Sequence, residues 1–270
     1  MPEDVLTRIL ASVRKRLQER KTKFPLRLIT RWAAAIRPSD FARAVRGKTR
    51  LSIIAEIKRS SPSSPNLARG LDPVAMARTY HRAGAAALSV LTEQDHFAGS
   101  VRDLQNVARV VPLPVLRKDF IVDEYQIYEA RAFGASAVLL IVRALRPAQL
   151  RRLLRLATWL KLAALVEVHD EQELETALAA GARIIGVNNR NLSTLKTDLA
   201  VALNLLPLVP RTCVAIAESG YSRPSDLVPL RGIADAVLIG TALLRDPLRI
   251  RRILRAARAR PPKQASVSAR

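Results

Sequence analysis

The stretch "FGASAVLLIVR", residues 133–143, decides the fold. A helix-like run ends at Phe133, a glycine follows, and an apolar, partly β-branched run then continues to a single charge at Arg143. Glycine takes the left-handed conformation that closes a helix C-terminus without steric cost. A continuous apolar run bounded by turn residues fits a strand buried on both faces, as parallel strands are. The unit is a helix-to-strand joint, and three other stretches repeat it: "AGAAALSVLTE" from 83, "AGARIIGVNNR" from 180 and "RGIADAVLIGT" from 231. Their glycines, Gly84, Gly134, Gly181 and Gly232, lie 50, 47 and 51 residues apart. Four more short apolar runs fall between them: "IIAEI" at 53, "PVLRKDF" at 114, "AALVEV" at 163 and "CVAIAES" at 213. Apolar residues three and four apart fill the intervals, as in "PAQLRRLLRLATWL" and "EQELETALAA", which is the period of a helix. Eight alternations of strand and helix predict an α/β fold, a (β/α)8 TIM barrel; a doubly wound open sheet is the other topology that the rhythm allows.

The 270 residues, 49% of them hydrophobic, suffice for one large core. The expected organisation is an N-terminal helical extension over 1–50, packed on the barrel with its first helix at roughly 3–20, a barrel over 51–255, and a basic, disordered tail over 256–270. The formal net charge of +22 sits mostly at the ends: residues 1–50 hold 14 Lys and Arg against 4 Asp and Glu, and residues 245–270 hold 9 against 1. Such ends are able to attract polyanions such as RNA. Aromatic residues make up only 4%, so platforms for stacking bases are scarce and nucleic acid is not the expected partner. No apolar stretch is long enough to span a bilayer, and "VLTRILASVRKRL" reads as an ordinary helix rather than a transit peptide because Glu3, Asp4 and Glu19 accompany it. The single Cys213 reads as a small buried strand residue. A cytoplasmic protein, monomeric or weakly homo-oligomeric, is expected.

In barrels of this kind chemistry stands where strands end and the following loops begin. In chain order those ends carry Glu56 and Lys58; Thr92 and Glu93; Lys118 and Asp119; Arg143; Glu167; Asn188 and Arg190; Glu218, Ser219 and Gly220; Gly240 and Thr241. Residues two apart in a strand share a face, so Glu56 and Lys58 project together. Lys58, Lys118 and Glu167 are expected to move protons, with burial lowering the pKa of an ammonium and neighbouring cations opposing its effect on a carboxylate. Arg117, one position before Lys118, should point into the helix layer. Gly220 and Gly240 follow strands seven and eight, where such barrels often hold phosphate through backbone N–H groups. The three histidines show no metal-ligand spacing, and no G-x-G-x-x-G follows the first strand, so neither a metal nor a dinucleotide is indicated. His169 reads as a loop residue rather than a catalyst.

Taken together, "IIAEIKRSSPS", "LSVLTE", "PVLRKDFIVDEYQIYEARAFGASAVLLI", "LVEVH", "GVNNRNL", "AESGY" and "AVLIGTALL" resemble the indole-3-glycerol phosphate synthase family of tryptophan biosynthesis. The resemblance implies a cofactor-free carboxy-lyase that closes the indole ring of 1-(2-carboxyphenylamino)-1-deoxyribulose 5-phosphate and releases carbon dioxide and water. By resemblance, Lys118 is the general acid at the ribulose carbonyl and Glu167 the carboxylate that handles protons during dehydration. Lys58 contacts the substrate carboxylate and serves as a further acid, Glu56 orients the lysines, and Asn188 joins this catalytic set. Arg190, Glu218, Ser219 and Ser61 resemble substrate contacts, Gly220, Gly240 and Thr241 phosphate contacts, and Phe97, Leu116, Phe120 and Leu139 the apolar wall. One departure lies in "SPSSPNLARG", where Ser64 and Pro65 stand in place of the Lys-Gly of many relatives; Pro65 predicts a stiffer first loop.

Two rival readings follow from the same features. A phosphoribosylanthranilate isomerase type of barrel uses a Cys after strand one and an Asp after strand six, where this chain has Glu56-Ile57-Lys58 and Asn188. A basic RNA-binding protein on a barrel scaffold would show steep salt dependence that deletion of residues 256–270 weakens.

Overall fold

The computed structural model describes residues 4–47, 51–65, 67–68, 70–245, 251–253 and 255. Three helices come first, α1 (Val5–Lys23), α2 (Leu26–Ala35) and α3 (Phe41–Val45). Strands and helices then alternate: β1 (Ser52–Ile57), α4 (Pro73–Ala83), β2 (Ala87–Leu91), α5 (Val101–Val110), β3 (Val115–Lys118), α6 (Glu124–Ala132), β4 (Ala137–Ile141), α7 (Pro147–Trp159), β5 (Ala163–Val168), α8 (Glu171–Ala179), β6 (Ile184–Asn188), α9 (Ala200–Leu205), β7 (Val214–Glu218), β8 (Ala236–Ile239) and α10 (Thr241–Arg245). All eight strands run parallel in sequence order and β8 returns to pair with β1, so the sheet closes into a barrel. The open-sheet alternative is thereby excluded.

The expected joints have the expected geometry. Gly84, Gly134, Gly181 and Gly232 take φ between 86° and 93°, a region a Cβ would strain. The rhythm fails once. Between β7 and β8 the described residues form a single turn of 3-10 helix, Pro224–Leu227, in place of an α-helix. Pro224 starts that turn, Pro229 lies five residues on, and neither has an N–H to give to a helix passing through it.

The extension is three helices rather than the one that periodicity singles out. On α1 the buried residues Leu6, Ile9, Leu10, Val13 and Leu17 recur three and four apart and form its inner face. Polar ties fix the helix over the loops that follow β2 and β3 and over α6: Arg16 pairs with Asp95 at 2.7 Å, Lys21 with Asp123 at 2.8 Å, and Arg20 with Glu129 of α6 at 3.1 Å. Residues 256–270, read from sequence as a basic tail, lie outside the described residues, so the proposed boundaries of 1–50, 51–255 and 256–270 rest on the sequence pattern. Cys213 is free and buried, as expected.

Alternation along β3 assigns its two cations to opposite faces. Arg117 is fully buried and points outward to α6. There it pairs with Asp119 at 2.9 Å and Glu129 at 2.8 Å, and donates to the Gln126 carbonyl at 2.9 Å and to Thr92 Oγ1 at 3.1 Å. An arginine with this many acceptors is a structural tie, since each donor lost to burial is regained locally. Among the described helices none is long and apolar enough to cross a membrane.

Candidate active site

Parallel register decides which strand ends meet. Leu91 lies opposite Lys118, Ile141 opposite Glu167, Glu167 opposite Gly186, and Asn188 opposite Glu218. The inward positions at the C-terminal end therefore share one level, and a cavity of about 480 Å³ opens above them. Its lining includes Glu56, Lys58, Ser61, Lys118, Glu167, Asn188, Arg190, Glu218, Ser219, Gly220, Gly240 and Thr241. Phe97, Phe120 and Leu139 form an apolar side, the two rings tilted at 40° with centroids 6.0 Å apart. Leu116 is not part of this lining. It points inward like Lys118 but sits two residues lower and is fully buried, packing the barrel under the cavity.

The charged groups are close enough to set one another's protonation. Lys118 Nζ lies 2.9 Å from Glu167 Oε2 and 2.9 Å from Glu218 Oε2, and Lys58 Nζ lies 2.7 Å from Glu56 Oε1. Burial acts to lower the pKa of Lys118, yet the carboxylates of Glu167, Glu218 and Glu56 outweigh it and hold the ammonium above its ordinary range. This reverses the sequence expectation of a lowered lysine, because the expectation counted burial and not three acids around one base. Burial raises Glu56, but Lys58, Lys118 and Arg190 bring it below the usual carboxylate value. Burial likewise raises Glu167, and Lys118, His169 and a hydrogen bond from Asn188 reverse that. Glu218 goes the other way, up to about 7, since burial and the neighbouring Glu167 outweigh its share of Lys118. Its Oε1 is buried without a hydrogen-bond partner. Of the three acids, Glu218 is therefore the one whose surroundings favour the protonated form.

Two glycines make room for these acids. A Cβ on Gly186 would collide with the Glu218 carboxylate, and one on Gly240 with that of Glu56. Gly240, expected to face phosphate, thus has a packing duty of its own. Gly220, at φ 90°, lies against Thr197 and Leu199 of the loop before α9. Ser219 also takes a positive φ, 66°, and its carbonyl accepts from Asn189 Nδ2 at 3.0 Å. Asn189 further donates to Tyr221 Oη at 2.9 Å and accepts from the Ala202 N–H at 2.9 Å. This buried staple shapes the loop after β7. Arg190 reaches across from β6 to Ser63 of the first loop at 3.3 Å, and Ser61 lies 3.3 Å from Ser63. Among the described residues no three His, Cys, Asp or Glu side chains stand together as ligands for a metal ion.

A family model described as indole-3-glycerol phosphate synthase matches residues 6–253. The chain is 47% identical over 272 residues to the indole-3-glycerol phosphate synthase of Kineococcus radiotolerans, covering 97% of this chain and 98% of the relative. It is 47% identical over 247 residues to indole-3-glycerol phosphate synthase 1 of Streptomyces coelicolor, covering 90% and 91%, and 48% identical over 240 residues to the synthase of a Parafrankia strain, covering 88% and 90%. The chain belongs to the indole-3-glycerol phosphate synthase family. Its activity is therefore a carboxy-lyase step of tryptophan biosynthesis, as the sequence reading expected, and the isomerase alternative is set aside.

For a member of this synthase family, several cavity residues were not singled out from sequence. Val5, Leu6 and Ile9 bring α1 over the mouth, and Leu192, Leu195, Tyr221, Ser222 and Arg223 arrive on loops. The apolar stripe on α1 was a readable signal, since its first turn is as greasy as its buried middle. Of the loop residues, Leu192 and Tyr221 fall within the quoted family segments, and the others carry no signal. His169, read as a loop residue, does lie just past β5, but its side chain is only 5% exposed and faces Glu167.

Proposed function

We propose that the cavity closes the indole ring of 1-(2-carboxyphenylamino)-1-deoxyribulose 5-phosphate with Lys118 as the general acid. The observation that carries this reading is the Lys118 ammonium held between Glu167 and Glu218 beside the apolar side formed by Phe97, Phe120 and Leu139. As the anilino ring carbon attacks the ribulose carbonyl, Lys118 gives its proton to the carbonyl oxygen, which becomes a hydroxyl. Loss of carbon dioxide then restores the aromatic ring, and the hydroxyl leaves as water. Lys58 supplies a proton to that leaving hydroxyl, and Glu167 takes the proton released from carbon. Glu56, 2.7 Å from Lys58, fixes the second lysine at the site of the substrate carboxylate. Asn188 holds Glu167, and Glu218, with its pKa near 7, is placed to return a proton to Lys118. The loop ends at Gly220, Gly240 and Thr241 surround the place where the phosphate fits, with Arg190 and Arg223 as cations on the same lining.

The strands, loops and first helix of one chain supply this whole arrangement, which supports a catalytic monomer or weak homo-oligomer. An unpaired, buried Cys213 supports a cytoplasmic setting. The test is indole formation by the purified protein, followed by fluorescence, beside Lys118→Ala. The variant should stay folded and lose turnover; a folded Lys118→Ala protein with normal turnover refutes the role.

A further inference from the structure

Behind Glu167, on the side away from Lys118, a second polar chain runs out to the helix layer. It begins with His169, which does not line the cavity. The ring nitrogen Nε2 lies 3.5 Å from Glu167 Oε1, and Nδ1 lies 3.0 Å from Glu173 Oε2 on α8. The same Glu173 oxygen accepts the His169 backbone N–H at 2.8 Å. Its other oxygen is held by Arg143 Nε at 2.7 Å, and Asp170, the N-cap of α8, takes the Glu173 N–H at 2.8 Å and Arg143 Nη2 at 3.3 Å. The imidazole is thus clamped between two carboxylates.

The donor and acceptor count decides what it does there. Glu173 as a carboxylate only accepts, so Nδ1 carries a proton. Nε2 is then the free choice: it is buried, has no hydrogen bond, and faces a Glu167 oxygen. A bare lone pair there would oppose an anionic oxygen, whereas a proton between the two atoms satisfies both. The separation of 3.5 Å is longer than a hydrogen bond, and such contacts tighten when substrate closes a site. We propose that His169 is a positioning residue that shares one proton with Glu167, fixing one carboxylate oxygen from behind while the other faces Lys118 and the substrate. This rests on the reading of Glu167 as the carboxylate that handles protons. Groups facing the pair are Asp170 and Glu173 of α8, Arg143 beyond β4, Lys118 of β3, Asn188 of β6 and Glu218 of β7. The His169 ring is one of the groups that lower the Glu167 pKa, so its place behind the carboxylate favours the ionised form. When Glu167 takes a proton from the substrate carbon, the shared proton stands ready to redistribute along the pair.

His169→Gln keeps a side-chain amide but removes the titrating ring. It should lower kcat by about ten- to a hundredfold, the scale of a misaligned catalytic group, with KM changed less than about twofold. The acid limb of the kcat–pH profile should also move to higher pH, because His169 is one of the groups that lower the Glu167 pKa and Glu167 without it binds its proton more tightly. Parent-like kcat and an unmoved limb overturn the proposal. A second measurement leaves His169 in place. The ring nitrogen resonances of His81, His96 and His169 are compared by NMR in the parent and in Glu167→Gln, and the proton signal on His169 Nε2 should weaken when the facing carboxylate is lost. An Nε2 signal that is the same in both proteins overturns the shared proton. If Glu167→Gln keeps full turnover, the reading of Glu167 itself fails, a result the His169 variants do not imitate.

Discussion

Replacing Lys118 by methionine keeps the length of the side chain and removes its charge, which separates what the ammonium does for the reaction from what it does for the fold. A positioned general acid contributes about 10²–10⁴ in rate, so kcat should fall by that factor. For stability, the ammonium lies 2.9 Å from each of two carboxylates that are 1% exposed. Removing one partner of a buried ion pair costs about 3–5 kcal/mol, because an uncompensated charge stays behind. Here the acids escape part of that cost by taking up protons. Without Lys118, burial and mutual repulsion push Glu167 and Glu218 above the unfolded value of about 4.3. A carboxylate raised in the folded state gives stability that is full below the unfolded pKa and is lost as pH rises through the folded one. The Lys118→Met protein should therefore lose little stability at pH 5 and the full amount at pH 8. Urea unfolding of parent and variant at both pH values, with indole formation followed at each, measures both effects. A stability loss of equal size at the two pH values would refute the account of the carboxylates, and turnover within a few-fold of the parent would refute the acid.

Three further outcomes follow from the same geometry. Glu218→Gln removes a group whose pKa is raised to about 7; stability in the parent should decline as pH rises through that value, and the variant's unfolding free energy should be flatter above pH 4.5. Each unit of raised pKa weighs about 1.4 kcal/mol in that comparison, which pH-dependent denaturation reads directly. Arg117→Met leaves Asp119 and Glu129 without their buried partner and should cost about 3–5 kcal/mol in unfolding free energy, with KM of the surviving folded enzyme little changed. Gly240→Ala places a Cβ against the Glu56 carboxylate, so Glu56 must move away from Lys58; turnover should fall about tenfold or more with an unchanged circular dichroism spectrum, and parent-like kinetics would show that the carboxylate has room to spare.

What could be read from the sequence was local or periodic. The glycine joints were legible because a left-handed cap needs only the residue itself. Alternation gave the face of every strand residue and correctly sent Arg117 outward and Lys118 inward. Alternation says nothing of height, however: Leu116, expected in the apolar wall by resemblance, faces inward but packs two residues below the cavity. Partners across the chain were equally silent: Glu129 is joined to both Arg20 and Arg117, and no spacing announces such a triad. The same applies to His169, whose role depends on α8 bringing Glu173 to one side and on β5 turning Glu167 to the other. The lysine pKa, expected from sequence to be lowered, is raised for a related reason. Strand ends name the charged residues, but only the barrel's register shows that three acids crowd Lys118.

That crowding suits an anionic substrate. Lys58, Lys118 and Arg190 face Glu56, Glu167 and Glu218, so the cluster is formally balanced until Glu218 holds its proton, and then carries one positive charge. A phosphate and a benzoate approaching this surface meet net attraction, and their own charge raises the affinity of the acids for protons. In the proposed mechanism, Lys118 therefore keeps its proton through binding and gives it up only when negative charge develops on the carbonyl oxygen as the ring carbon attacks. Such close packing of like charges requires that side chains be absent where the acids lean over, and β6 and the end of β8 carry glycine at those two places, Gly186 and Gly240. The missing side chains at 186 and 240 are thus as much a part of the proposed proton chemistry as the lysines, since a methyl at either position would push a carboxylate away from its ammonium partner.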